Sequence, residues 1–270
     1  MDNSILERAL NRVAAEMALD QSKPGEITLT KTDCCGDSCN DIGVTEFVGT
    51  GIGDTIGLLI ASIDPVLGKA MDLGDYRSIG VIGSRSGVGP QAMAVDDAVK
   101  ATNAELIRVE VTTDDKGGAG QGCLIFIGAD DVSDARRAVE IALESLSTYF
   151  GDVYYNDCGH LEFQYTARAS SCLQKAYGAQ YGKAFGLVCT GPAAIGAVLS
   201  DVAVKAANVE IMSYISPETG SGSSFSNEIT TTFTGDAGAV RQAVKAAIEV
   251  GIKLLGAMGE TPKSASTPYI

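Results

Sequence analysis

The sequence predicts an α/β protein in which one α+β sandwich domain occurs twice. The segment Ala98-Val-Lys-Ala-Thr-Asn-Ala-Glu105 returns as Ala203-Val-Lys-Ala-Ala-Asn-Val-Glu210, an offset of 203 − 98 = 105 residues. Around both segments, short runs rich in Val, Ile and Thr alternate with longer Ala-rich runs of helical spacing. Because a repeat of about a hundred residues is the size of one small domain, we expect two copies in tandem.

The same offset extends the repeat on both sides. It carries Asp96 onto Asp201, and the helical run that begins at Arg136 onto the run that begins at Arg241. Each copy is expected to contain a strand, a helix, a strand, a glycine-bearing loop, a strand and a helix. The predicted bounds are 78–83, 91–102, 105–112, 113–122, 123–128 and 132–149 in the first copy, and 183–190, 193–207, 209–215, 216–226, 227–234 and 238–258 in the second.

An extension precedes each copy, at 45–71 and at 160–177, and Glu46-Phe47 of the first recurs as Glu162-Phe163 in the second. Each extension is expected to add one strand and one helix. Asp, Asn and Gly interrupt the periodicity over 151–159, which indicates a boundary there. We therefore divide the chain into an N-terminal segment (1–44), a first domain (45–151) and a second domain (152–270).

The N-terminal segment differs from both copies. Residues 4–19 place their apolar side chains on one stripe of a helix, with Ser4 as N-cap and Glu7 completing a capping box. A flexible linker with three cysteines (Cys34, Cys35 and Cys39) is predicted to follow. The helix either packs on its own domain or binds a groove of a partner protein.

The charge excludes several partners. With 34 acidic and 20 basic residues the net charge is −14, which disfavours nucleic acids and anionic membrane surfaces. No apolar run reaches the roughly 20 residues that span a bilayer, and the polar N-terminus does not resemble a secretion signal, so we expect a cytoplasmic protein. Seven cysteines without disulfide-like spacing indicate reduced thiols, and Cys123, Cys172 and Cys189 are expected in the core.

The sequence argues against an enzyme. His160 is the one histidine, and no Gly-x-Ser-x-Gly motif is present. Gly49-Thr-Gly-Ile-Gly-Asp54 lacks the last glycine of the dinucleotide fingerprint, and the segment 178–184 lacks the spacing of a phosphate loop. The linker cysteines do not have a four-ligand metal spacing. We expect no catalytic residues, no cofactor and no bound metal.

The sequence resembles the shell proteins of bacterial microcompartments. The resemblance rests first on Asp201, on Val204-Lys-Ala-Ala-Asn-Val209 and on Gly220-Ser-Gly222. Further blocks resemble the tandem-domain shell proteins of propanediol-utilization compartments: Glu46-Phe-Val-Gly-Thr50, Gly53-Asp-Thr55, Tyr76-Arg-Ser-Ile-Gly80, Lys116-Gly-Gly-Ala-Gly120, Gln164-Tyr-Thr-Ala-Arg-Ala169, Ser224-Phe-Ser-Asn-Glu228 and Pro268-Tyr-Ile270.

This resemblance implies two circularly permuted tandem shell domains, a homotrimer with pseudohexameric symmetry, and a structural role in the shell. The implied partners are other shell hexamers and pentamers, and enzymes enclosed by the shell, which residues 1–37 are expected to tether. The rival hypothesis is a small-molecule sensor or carrier that does not form sheets. Propanediol, ethanol and choline compartments all remain open as the pathway.

The resemblance also implies functional residues. Lys100 and Lys205 match the lysine at the edge where shell tiles meet, although a solvated helix face is the alternative. Two loops match the pore-lining position, although plain hairpin loops are the alternative; their residues are Lys116, Gly117, Gly118, Ala119, Gly120 and Gln121, with Gly220, Ser221, Gly222, Ser223 and Ser224. Ser84, Arg85 and Ser86 are expected to bind a polyol such as glycerol or a small diol.

Overall fold

The computed structural model describes residues 44–111, 122–217 and 227–270. The elements of the first half are β1 (Phe47–Gly51), β2 (Thr55–Ile60), α1 (Pro65–Ala70), β3 (Ser78–Ser84), α2 (Gly89–Ala101), β4 (Glu105–Val111), β5 (Cys123–Ala129) and α3 (Val132–Tyr149). Those of the second half are β6 (Val153–Asn156), β7 (Gly159–Thr166), α4 (Ser171–Tyr177), β8 (Ala184–Gly191), α5 (Ala193–Ala206), β9 (Val209–Ile215), β10 (Ile229–Gly235), α6 (Ala237–Gly256) and β11 (Lys263–Ser264).

The strand orders of the two sheets confirm the predicted internal repeat. The first sheet has the order β1-β2-β3-β5-β4, and the second has β11-β6-β7-β8-β10-β9, with every neighbouring pair antiparallel. After β11 is set aside, each strand of the second sheet occupies the place of its counterpart in the first. The chain therefore builds one α/β layer arrangement twice.

The equivalent helices α2 and α5 differ in how much of their surface is buried. In α5 the buried residues (Ile195, Gly196, Leu199, Ser200 and Ala203) form one stripe, as expected for a helix that covers one face of a sheet. Its counterpart α2 is buried along nearly its whole length from Gly89 to Ala98. The cause is that α2 contacts α3 in its own half and also α4 and β7 in the other half. Helix α2 thus lies inside the molecule.

The larger hydrophobic core joins the two halves. It contains Met93 and Phe150 from the first half together with Phe185 and Leu187 from the second. A separate core of the second half lies beneath α5 and α6 and includes Phe163 and Phe233. The boundary near residue 151 that we predicted stays a prediction, since hydrophobic packing continues across it.

The extensions differ from expectation in one respect. The first extension, at 45–71, contains a two-stranded hairpin and a short helix, β1–β2–α1, where the sequence predicted one strand and one helix. The second, at 160–177, contains the predicted single strand and helix, β7 and α4, but the additional strand β6 precedes it and forms a hairpin with β7. Strand β6 lies within the stretch predicted as interrupted, and its four residues are too few to establish an alternating pattern. The turn that follows it, which contains Asp157 and Cys158, closes the hairpin.

The C-terminal tail is fastened to the start of the second half. Strand β11 pairs with β6, and the carboxylate of Asp152 accepts hydrogen bonds from the backbone N–H groups of Tyr269 at 2.9 Å and Ile270 at 3.0 Å. Asp152 is buried, and the ring of Tyr269 packs edge-on against Tyr149. The tail therefore supplies the donors that a buried carboxylate requires.

Several predicted features lie outside the described residues. They are the helix at 4–19, the linker with Cys34, Cys35 and Cys39, and the two loops 116–121 and 220–224. Within the described ranges, no helix combines the length and the apolar character needed to cross a bilayer.

Candidate functional site

The two lysines predicted at the tile edge occupy equivalent places in the repeat. Lys100 lies in the last turn of α2 and Lys205 in the last turn of α5, and each pairs with an aspartate one turn earlier. For Lys205 this partner is Asp201 at 2.6 Å, and 74% of the lysine side chain is exposed. Its ammonium group is therefore available to a neighbouring molecule.

The surroundings of Lys100 are different. Its ammonium group pairs with Asp96, which is 1% exposed, and 34% of the lysine side chain is exposed. The Asp96 carboxylate also accepts hydrogen bonds from the backbone N–H of Ser170 at 3.0 Å and from the Ser170 hydroxyl. Lys100 therefore belongs to a polar network that joins α2 to the second half, in addition to reaching the surface.

The three residues predicted to bind a polyol lie together after β3. The Ser84 hydroxyl donates to the carbonyl of Gly87 at 3.2 Å and accepts from the backbone N–H of Cys123 at 3.1 Å. The carbonyl of Ser86 accepts a hydrogen bond from Gln91 at 2.9 Å. Ser84 and Ser86 are buried, whereas the Arg85 side chain is exposed. The serines thus hold the turn, and Arg85 is the member that faces solvent.

The two predicted pore loops connect equivalent strands. The loop that contains 116–121 joins β4 to β5, and the loop that contains 220–224 joins β9 to β10. In each sheet these two strands are neighbours at one edge. The two loops therefore start from corresponding positions of the repeat.

The glycine motifs that resembled nucleotide sites occur in the wrong structural context. Gly49 to Asp54 forms the end of β1 and the turn into β2, whereas a dinucleotide site requires a strand that leads into a helix. Residues 178–184 connect α4 to β8, the reverse of the strand–loop–helix order of a phosphate loop. Neither segment has the geometry of a phosphate cradle.

The cysteines predicted in the core are indeed buried. Cys123, Cys172 and Cys189 are free thiols, and burial raises the pKa of each. For Cys123 the pKa rises to about 11, although the hydroxyl of Ser84 acts in the opposite direction. A thiol with a raised pKa is a poor nucleophile at neutral pH, and Cys123 and Cys172 therefore act as small apolar side chains.

A buried polar cluster on the second sheet was not anticipated from the sequence. Glu162 on β7 lies opposite Cys189 on β8, and its carboxyl accepts a hydrogen bond from the backbone N–H of Gly89 at 3.0 Å. Burial and, to a smaller extent, the nearby carboxylate of Glu228 together raise the pKa of Glu162 to about 8, although the hydrogen bond from Gly89 acts in the opposite direction. A neutral Glu162 is thus buried where the two halves meet.

His160, Cys189 and Glu228 complete this cluster. Their ligand atoms all lie within 4.8 Å of one another, and the Nε2 atom of His160 is 3.2 Å from Oε1 of Glu228. The sequence separates these residues by 189 − 160 = 29 and 228 − 189 = 39 positions. The pairing register of three neighbouring strands brings them together. This register could not be predicted from a local sequence motif.

The comparisons agree with this architecture. The BMC domain family model matches residues 184–262. The bacterial microcompartment shell protein PduB of Salmonella typhimurium is 48% identical over 272 residues, which cover 99% of each chain. PduB of Limosilactobacillus reuteri is 51% identical over 229 residues, which cover 84% of this chain and 95% of that protein. The chain belongs to the PduB family of bacterial microcompartment shell proteins.

Solved structures give the same result. A trimeric shell protein PduB superposes on this chain with a TM-score of 0.80 and 50% sequence identity, and the match covers 84% of this chain and 100% of that one. EtuB from Clostridium kluyveri has the same TM-score and identity, and the match covers 84% of this chain and 99% of EtuB. EutL from Clostridium perfringens shares the fold. It is 20% identical in sequence, with a TM-score of 0.60, and the match covers 72% of this chain and 89% of EutL. As a PduB-family member the chain is a structural shell protein, and nothing in these similarities supports the sensor or carrier alternative.

Proposed function

We propose that the chain forms a homotrimeric tile with six near-equivalent units around its axis, and that this tile is part of a microcompartment wall in the cytoplasm. The repeated strand order carries the proposal, because three chains with two equivalent halves supply six similar wedges. The similar solved PduB is described as trimeric, which supports the same stoichiometry.

The contact between the two halves serves as a template for the contact between chains. Helix α4 of the second half packs against β4 and α2 of the first half. Lys175 on α4 donates to the carbonyl of Leu106 at 2.7 Å and lies 3.7 Å from Glu105. In a closed ring, α1 of one chain would meet β9 and α5 of the next chain in the same way.

The surfaces that this arrangement would join are both apolar and exposed. Val66 and Leu67 project from α1, and Ile211, Tyr214 and Ile215 project from β9. Exposed apolar side chains clustered on a sheet edge are typical of an interface. The counterparts of Lys175 and Glu105 in this second contact are Lys69 and Glu210, both of which are exposed.

A charge exchange tests this interface. Light scattering should give the unaltered chain a mass about three times 27.8 kDa, with hexagon-like particles on negative stain. Lys69→Glu and Glu210→Lys should each shift the mass toward the monomer, and the double variant should regain trimers because the charges are again complementary. Lys253→Glu, an exposed lysine on α6, should remain trimeric. An unchanged trimer in Lys69→Glu contradicts the proposed interface.

The pores of the tile are proposed to be lined by 116–121 and 220–224. Their glycines and serines leave backbone amides and hydroxyls free to replace the water shell of a small polar solute.

For the polyol site, the exposed guanidinium of Arg85 is the expected contact, with Ser84 and Ser86 fixing the turn. Glycerol should bind weakly in a calorimetric titration and lose that binding in Arg85→Gln; equal binding by both proteins counts against the site.

The N-terminal segment is proposed to tether enzymes to the shell. The role of the whole chain is proposed to be structural and not catalytic. Relatives that are shell proteins support this, and the resemblance points to propanediol-type cargo. Removing residues 1–37 should leave shells that form but no longer co-purify with enzymes. Full retention of cargo by the truncated protein overturns the tether.

A further inference from the structure

The register of the second sheet directs three metal-binding side chains toward one point. His160 on β7 pairs with Gly191 on β8, and Glu228 directly precedes Ile229 of β10, which pairs with Thr190. His160 and Glu228 therefore flank Gly191 from the two sides. Cys189 lies two residues before Gly191, so its side chain is on the same face of β8.

Gly191 leaves the space in which these side chains converge. A Cβ atom at this position would lie 3.1 Å from Cε1 of His160 and 3.4 Å from Cγ of Glu228. Any other residue would require the imidazole to move by a few tenths of an ångström and would place its Cβ in van der Waals contact with Glu228. The absent side chain permits the two groups to approach each other across the strand.

The cluster contains a buried side-chain nitrogen that forms no hydrogen bond. His160 is 9% exposed, and its Nε2 atom, which lies 3.2 Å from Oε1 of Glu228, forms no hydrogen bond. Within the described residues, no lysine or arginine pairs with Glu162 or Glu228. A buried imidazole nitrogen without a partner, next to a carboxylate, is a group that a cation would satisfy.

We propose that His160, Cys189 and Glu228 bind one divalent transition-metal ion of the Zn²⁺ class. Imidazole, thiolate and carboxylate together form a ligand set that Zn²⁺ accepts, and three protein ligands leave a fourth position for water. The thiol of Cys189 loses its proton to solvent when the ion binds. The Thr230 hydroxyl, which already donates to the Cys189 sulfur at 3.1 Å, orients the ligand.

The ion has a route to this site. The side chains of His160 and Glu228 retain 11% and 17% exposure, so the cluster is shielded but reachable from solvent. Glu228 is also the second described residue after the loop that contains 220–224. A bound ion would therefore hold the base of that loop to β7 and β8.

The test uses the full chain and Co²⁺, whose bond to a thiolate gives a near-ultraviolet charge-transfer band. Because any accessible thiolate that binds Co²⁺ gives such a band, the starting protein carries Cys34→Ser, Cys35→Ser and Cys39→Ser so that the N-terminal thiols cannot contribute to it. After treatment with a chelator it should bind one Co²⁺ per chain and develop the band. Cys189→Ser should abolish the band, and Glu228→Gln and His160→Gln should weaken Co²⁺ binding about tenfold or more.

Two controls make the result decisive. Cys158→Ser removes an exposed thiol whose sulfur donates to the carbonyl of Met258, and it should leave the band unchanged. Glu228→Gln changes a partly exposed side chain with little effect on folding, so it remains informative if Cys189→Ser is unstable. No band in the starting protein, a band that persists in Cys189→Ser, or unaltered affinity in Glu228→Gln each overturns the proposal.

Discussion

Glu162 makes the stability of the protein depend on pH. Its pKa is raised from 4.5 to about 8, so the folded chain keeps a proton that the unfolded chain releases between these values. The free energy of unfolding should therefore fall as pH rises through this window, by at most about 1.4 kcal/mol per pH unit, and become level above it.

Glu162→Gln should remove this pH dependence, because an amide can still accept from Gly89 but does not ionise. Urea unfolding with a chelator present should show that the variant gains stability over the parent from about pH 5 to about pH 8. Glu249→Gln, which changes an exposed carboxylate on α6, should follow the parent. Identical pH profiles for the parent and Glu162→Gln would contradict the raised pKa.

Lys100 and Lys205 should respond differently to charge reversal. Lys100→Glu places a carboxylate beside buried Asp96 and should lower the free energy of unfolding by on the order of 2 kcal/mol, allowing for partial screening. Lys205→Glu disturbs an exposed pair and should cost about 0.5 kcal/mol or less.

Lys205→Glu is therefore the better probe of tile edges. Electron microscopy should show fewer flat arrays, while light scattering still gives the parent mass. Lys253→Glu should form arrays as the parent does, and unaltered arrays in Lys205→Glu would speak against an edge role.

The sequence placed both lysines at equivalent positions, but it could not distinguish them because the burial of Asp96 arises from packing against Ser170 of the other half.

At the scale of elements, the sequence predicted most helices and strands to within a few residues. Helix α3 has the predicted bounds 132–149, and α5 ends one residue before the predicted 207. Both have strong helical periodicity, which depends on their own residues alone. The hairpin partners β1 and β6 were missed because a short strand next to a turn is defined by its pairing more than by its pattern.

The C-terminal tail should stabilise the chain through Asp152. Asp152→Ala leaves two backbone N–H groups without their acceptor, and removal of residues 269–270 leaves the buried carboxylate with the Tyr154 hydroxyl as its remaining side-chain donor. Each change should lower the free energy of unfolding by about 2 kcal/mol. Because both remove the same hydrogen bonds, the combined variant should cost clearly less than the sum, as measured by chemical denaturation; strict additivity would contradict this coupling.

At the scale of the whole molecule, the sequence determined the family and the number of repeats, since both depend on residue patterns. It did not reveal that the halves share one core, because Met93 of α2 and Leu187 of β8 belong to one hydrophobic cluster as a result of the packing of α2 against the second half. The cluster of His160, Cys189 and Glu228 was missed for the same reason. Its members are brought together by strand register, and Cys189 alone was correctly expected to be buried.

The position of α2 between the halves has an evolutionary consequence. A gene that encoded only one half would yield a product whose α2 lacks the cover of α4 and β7, so this product would need a neighbouring copy to exclude water from that side of its interior. Because the two copies occupy different positions in one chain, each can accumulate its own substitutions. In the first copy Lys100 pairs with a buried aspartate, whereas Lys205 of the second copy pairs with an exposed one, and the second copy holds the cluster of His160, Cys189 and Glu228.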